Sequence, residues 1–183
     1  MKHIHLPPKR LFGLAFCAFL GLAGFQAEAS EQTLLGIAVD NPVDGWNVMP
    51  DSTVYGHGDG LTDIYNGGYQ TYTRAGVMDA LRRIYVHGDD YIEVTVHGME
   101  SASSARKFLA DRYRMETGET APDDTDWDHF TVSPSGAVTA YAARGRWFIM
   151  VVSYLEGNQG KELTAVFMEA LNERAAKQEQ NGE

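Results

Sequence analysis

The run Trp147-Phe148-Ile149-Met150-Val151-Val152 is apolar at every position. Successive strand side chains point to opposite faces, so a strand built from this run needs cover on both sides and belongs in the middle of a sheet. Ala137–Ala143 precedes it, and Arg144-Gly145 supplies turn chemistry, giving a hairpin with Arg146–Leu155. A second hairpin is read in Leu81–His87 and Tyr91–His97 around Gly88-Asp89-Asp90. In that reading Ile84, Val86, Ile92, Val94 and Val96 alternate inward. Arg83, Tyr85, His87, Tyr91, Glu93, Thr95 and His97 then form a polar outer face, as on half-solvated antiparallel sheets.

Helical spacing marks three further segments. Leu61, Ile64, Tyr65, Gly68, Tyr69 and Tyr72 fall on one face of a helix that Asp59 would cap and Gly76 would stop. Gly67 and Gly68 lie inside it and cost roughly 1 kcal/mol each relative to Ala, so either Gly68 allows close backbone approach to the sheet or the helix breaks there. Ser101 is a cap for a helix from Ala102 to Thr117, ended by Gly118. A last helix spans Lys161–Ala176. Val43–Val48 and Thr53–Tyr55 are short strand-like pieces after an exposed start, and Glu119–Asp128 is an acidic loop. The order of helices and hairpins predicts an α+β fold, an antiparallel sheet of two main hairpins with helices packed mainly on one face.

The N-terminus reads as a leader. Lys2, Lys9 and Arg10 precede the apolar stretch Leu11–Phe25, and Ala27-Glu28-Ala29 offers small residues before a cleavage point at Ser30. The organisation expected is therefore a signal peptide over 1–29, one domain over 30–176 and a polar tail over 177–183, with export to a bacterial periplasm or beyond and no membrane span after processing. Removing three basic residues and Glu28 takes the net charge from −10 to about −12. Such a surface repels phosphates and anionic lipid, which argues against nucleic acid or a membrane as partner. Cys17 is the one cysteine and lies in the leader, with Phe16 where a lipoprotein signal needs a small residue. The processed domain has no thiol and must rely on its core.

The segment Leu61-Thr62-Asp63-Ile64-Tyr65-Asn66-Gly67-Gly68-Tyr69-Gln70-Thr71-Tyr72 resembles the Leu-Tyr-Glu-Tyr-Ile-Asn-Gly-Gly/Ala signature of an uncharacterised family of exported bacterial proteins, a domain of unknown function. Tyr65 stands where that family usually has Ile, and Thr62 where it has an aromatic residue. Ile92–Met99, Ala105, Arg112 and Gly145–Ile149 are similar to its later sections, so the resemblance covers roughly residues 45–155. It implies export and an α+β fold, and it brings no catalytic residues.

Sites of chemistry are sparse. There is no Gly-x-Ser-x-Gly elbow for a nucleophilic serine, and His57, His87, His97 and His129 fit no H-E-x-x-H pattern. Gly56-His57-Gly58-Asp59-Gly60 lacks the spacing and the lysine of a phosphate cradle, and Asp59 and Asp63 would repel an anion. Asp123–Asp128 offers carboxylates to a hard cation, but an EF-hand would require Gly at His129 and Glu at Ser135, so the segment reads as a solvated loop. The reading is a non-catalytic binding module for an envelope protein or small ligand, with no metal or cofactor. Its candidate ligand residues are Asn66, Gly67, Gly68, Tyr85, Glu93 and His97. The alternative is a metal-assisted hydrolase using His57, Asp59, Asp63 and Glu93.

Overall fold

The structure, a computed structural model, describes residues 30–182 apart from 125, 134 and 135. The segment read as a leader, the expected cleavage point and Cys17 lie outside the described residues. Residues 30–37 are helical (α1). Then follow β1 (Asn47–Val48), β2 (Val54–His57), a 3-10 turn (Gly58–Leu61), α2 (Thr62–Tyr65), α3 (Tyr69–Arg74), β3 (Val77–His87), β4 (Asp90–Met99), α4 (Ala102–Thr117), β5 (His129–Val132), β6 (Val138–Arg144), β7 (Trp147–Ser153) and α5 (Gly157–Gly182). The strands form one antiparallel sheet in the order β1-β3-β4-β7-β6-β5, with β2 also pairing β3. The α+β antiparallel class is as expected, and β7 occupies the centre that its unbroken apolar run demands. The two hairpins, β3-β4 and β6-β7, join through β4 and β7, with Val94 opposite Val151, and short β1, β2 and β5 complete the sheet.

Helices cover both faces rather than mainly one. Leu34, Ile37, Phe167 and Leu171 of α1 and α5 pack with Leu81, Ile92, Val94, Val96, Ile149 and Val151 on the first face. Leu61, Ile64, Ala105, Phe108 and Leu109 of the 3-10 turn, α2 and α4 pack with Ala80, Met99, Tyr141 and Phe148 on the second. The reason lies in β7: Ile149 and Val151 point one way and Phe148 the other, and each side needs a cover worth roughly 1.5–3 kcal/mol per large side chain buried.

Register corrects the expected faces of the first hairpin. Gly88 adopts φ +61°, and with Asp89 it makes a two-residue turn that pairs His87 with Asp90 and Tyr85 with Ile92. A three-residue turn would have placed His87 opposite Tyr91. That one-residue difference inverts β3 relative to β4. Leu81, Arg83 and Tyr85 therefore share the face of Ile92, Val94 and Val96, whereas Ile84 and Val86 lie with Glu93 and Tyr91. His87 and His97 sit on opposite faces, and His87 lies against Trp46 with ring centroids 5.6 Å apart.

Three further differences concern helices. The expected exposed start is α1, whose Leu34 and Ile37 are fully buried; eight residues are too few to show a convincing period. The helix over residues 59–76 is broken, with Asn66 at φ 46° and Gly67 at φ 89° between α2 and α3. A Cβ on Gly68 would meet just the Tyr65 carbonyl oxygen, at 3.6 Å, so the glycines mark a turn and not a close approach to the sheet. Asp59 lies inside the 3-10 turn, the cap positions of that turn and of α2 being His57 and Leu61; its Oδ1 accepts the Tyr69 hydroxyl at 2.9 Å. At the C-terminus, α5 continues through the polar segment to Gly182, because Lys177, Gln178, Glu179 and Gln180 are good helix formers. α4 is as read: Ser101 Oγ accepts from the Ser104 amide at 3.1 Å, and Gly118 at φ 76° ends the helix.

Candidate functional site

Of the six residues nominated from the sequence, the structure draws four into one neighbourhood. Asn66, Gly67 and Gly68 form the exposed left-handed turn after α2. Tyr65, immediately before it, stacks on Tyr72 at 3.6 Å, and the His97 ring continues the stack 6.0 Å from Tyr65. Glu93 shares the face of His97 but lies four residues along the strand, roughly 13 Å away. Tyr85 is on the other face, fully buried, with its hydroxyl donating to the Val39 carbonyl at 2.9 Å.

The stack is closed. Phe108 and Phe148 flank His97 at 6.3 and 5.2 Å, and Arg112 lies over Tyr72 and Phe108 while donating to the Tyr72 hydroxyl at 2.9 Å. His97 is 2% exposed. Its Nδ1 is 3.0 Å from the Phe148 carbonyl oxygen, which can only accept, so the proton belongs on Nδ1. Burial, reinforced by the Arg112 charge, pulls its pKa down to about 4. It is a neutral core histidine at physiological pH. Tyr65 is likewise held protonated, by burial first and by Tyr72 second, and its hydroxyl is buried without a hydrogen-bond partner.

The residues of the hydrolase alternative disperse. His57 pairs in register with Asp79, Asp59 is bonded to Tyr69, and Asp63 is exposed on α2. Among the described residues no three His, Cys, Asp or Glu side chains are placed to hold a metal ion. Residue 125 leaves the acidic loop partly outside the described residues; within it the Asp126 amide donates to Asp124 Oδ1 at 2.9 Å, a local turn.

Concavity is found on the other face. α5 runs across β6 and the short edge strand β5, and between them lies an open cleft of about 810 Å³. Its apolar lining comes from Ala140, Ala165, Met168 and Ala176, and its rim carries Arg144 and Lys177 beside Glu169 and Glu173. None of those four charges is in an ion pair among the described residues. Asn172 also lines the cleft, and its carboxamide oxygen is buried with no donor. An unsatisfied buried acceptor of this kind costs about 1–3 kcal/mol. Sequence reasoning passed over this cleft because β5 is four residues long and Asn172 is one polar position among many on α5.

No protein-family model matches the chain, and no curated protein matches it. Among solved structures it is similar to the extracellular domain of PknH from Mycobacterium tuberculosis, with 13% identity, a TM-score of 0.43, and coverage of 79% of this chain and 91% of that one. No helix among the described residues is long and apolar enough to cross a membrane.

Proposed function

We propose that this is an exported, non-catalytic binding domain, and that the cleft between α5 and the β5-β6 edge receives a small amphipathic ligand. One observation carries the reading: an apolar-lined cleft with uncommitted charges of both signs at its rim. A ligand with an apolar body would bury against Met168 and the alanines, and polar groups on it would meet Arg144, Lys177, Glu169 and Glu173 at the rim. The leader sequence supports export, and the sequence resemblance to exported proteins agrees with it. The Asn66–Gly68 turn is a weaker candidate, since His97 and Tyr65 behind it are closed off by their own ring contacts.

A neutral probe with one N–H, N-phenyl-1-naphthylamine, tests this. Its fluorescence should rise saturably on adding the protein. Ala165 is exposed on the cleft wall, so Ala165→Trp should abolish the rise while leaving the melting temperature within about 2 °C, as surface changes do. An unchanged titration in Ala165→Trp would reject the cleft as the site.

A further inference from the structure

Asp79 is a carboxylate without the partner its burial calls for. It stands on β3, 1% exposed, beneath the start of α1. The Ser30 hydroxyl donates to its Oδ2, and Tyr55 hydrogen-bonds the same serine. Oδ1 lies against the Gly98 backbone, so close that a Cβ there could not be accommodated. It is buried; the Gly98 amide is the donor close to it and lowers its pKa a little, but makes no hydrogen bond of normal geometry. The cations facing it, Arg146 from the β6-β7 turn and His57 from β2, act through space, and no cation among the described residues comes within ion-pair distance. Glu31 on α1 adds a further negative charge nearby, felt by Tyr55. Burial accordingly raises the Asp79 pKa to about 6.

The other end of α1 shows what is missing. There, on the same face of β3, Arg83 donates to the Ala38 carbonyl at 2.5 Å and pairs with Asp40 at 2.9 Å. A cation at the C-terminal end and an anion at the N-terminal end of a helix both oppose its dipole favourably. The C-terminal charge is neutralised by Asp40, and the N-terminal one is not.

We propose that Asp79 is the receptor for the α-ammonium of Ser30, set free when the leader is cleaved between Ala29 and Ser30. Hydrolysis adds one water across that peptide bond: Ala29 leaves with a carboxylate, and Ser30 keeps its nitrogen, which takes up a proton at neutral pH. That nitrogen is separated from the Ser30 hydroxyl by only the Cα–Cβ link, and the hydroxyl already touches Asp79. The new ammonium therefore arises within reach of the carboxylate, and processing installs an ion pair that the uncleaved chain lacks. The ligand of this site is a primary ammonium, and the chain supplies its own.

The exported chain, its intact mass confirming a start at Ser30, is compared before and after carbamoylation of its α-amine with cyanate near pH 6. The modification keeps the serine hydroxyl and replaces the ammonium by a neutral urea, as uncharged as the original peptide bond. In the unmodified chain, the Asp79 carboxyl followed by 13C NMR should titrate below the ordinary 3.8, and after carbamoylation it should move upward toward 6. The melting temperature at pH 7 should fall by several degrees on carbamoylation, and Asp79→Asn should remove that fall. An Asp79 titration unmoved by carbamoylation would overturn the proposal. So would an equal fall in Asp79→Asn, or an exported chain that begins elsewhere than Ser30.

Discussion

The two faces of the sheet are built from different materials. On the α2-α4 side, short helical pieces and one sixteen-residue helix press rings together, with Tyr65, Tyr72, His97, Phe108, Phe148, Tyr141 and Phe130 in continuous contact. On the α5 side, a smaller ring cluster of Trp46, Tyr85 and Phe167 is set among aliphatic strand residues, and one twenty-six-residue helix spans the sheet and stands away from its β5 edge. Rings fill space in pieces that many short elements can adjust, so the first side closes. A single straight helix cannot follow the right-handed twist of the sheet to its last strand, so the second side opens. The comparison teaches that the richest cluster of chemistry-bearing side chains is the scaffold, and that the plainer side holds the space.

Removing the ring on which the closed side centres should have the largest effect. Phe148 is 1% exposed and contacts His97, Phe108 and Tyr141. Phe148→Ala should cost about 3–5 kcal/mol in urea unfolding, whereas the exposed Val166→Ala on α5 should stay within about 0.5 kcal/mol. Comparable losses would show that the two sides do not differ as described.

Acid should also separate the faces. His97 has its pKa depressed in the folded state to about 4 from 6.5, so the unfolded chain binds the proton more readily. Its contribution to stability is present above pH 6.5 and declines as pH falls toward 4, by up to about 3 kcal/mol. His97→Phe should flatten this part of the stability profile measured by denaturant midpoint. A profile with the same slope in both proteins would mean that His97 is protonated without unfolding, and that the closed side admits water.

The smallest effects sharpen the account of the turn. Gly67 sits at φ 89° and a side chain there is strained whatever the space, so Gly67→Ala should destabilise by about 1 kcal/mol. Gly68 has φ −92° and open surroundings, and Gly68→Ala should change stability by less than about 0.5 kcal/mol. A large loss at Gly68 would restore the close approach expected from the helical stripe.

Much of the fold was legible in the chain. The Arg144-Gly145 turn placed β6 and β7, the unbroken apolar run placed β7 at the centre, and Ser101 with Gly118 bounded α4, because each of these signals is local. What was misread depended on partners distant in sequence. Whether Gly88 and Asp89 make a two- or three-residue turn is a choice of one residue, and it decides whether Tyr85 faces water or α1. Asp79 was passed over because an acidic residue beside Met78 and Ala80 looks like an ordinary strand position until α1 covers it. Of the nominated site, the Asn66–Gly68 turn and His97 do adjoin, but the hairpin face read as polar and open is covered at His97 by Tyr65, Tyr72, Phe108 and Phe148.

The open side should bind, and the side of the Tyr65–Tyr72–His97 stack should not. Methyl and aromatic 13C–1H NMR spectra recorded while N-phenyl-1-naphthylamine is added test this most directly. Shifts are expected at the methyls of Met168, Ala140, Ala165 and Ala176, with the rings of Tyr65, Tyr72 and His97 unmoved. Shifts confined to those rings and to the Asn66–Gly68 turn would contradict it.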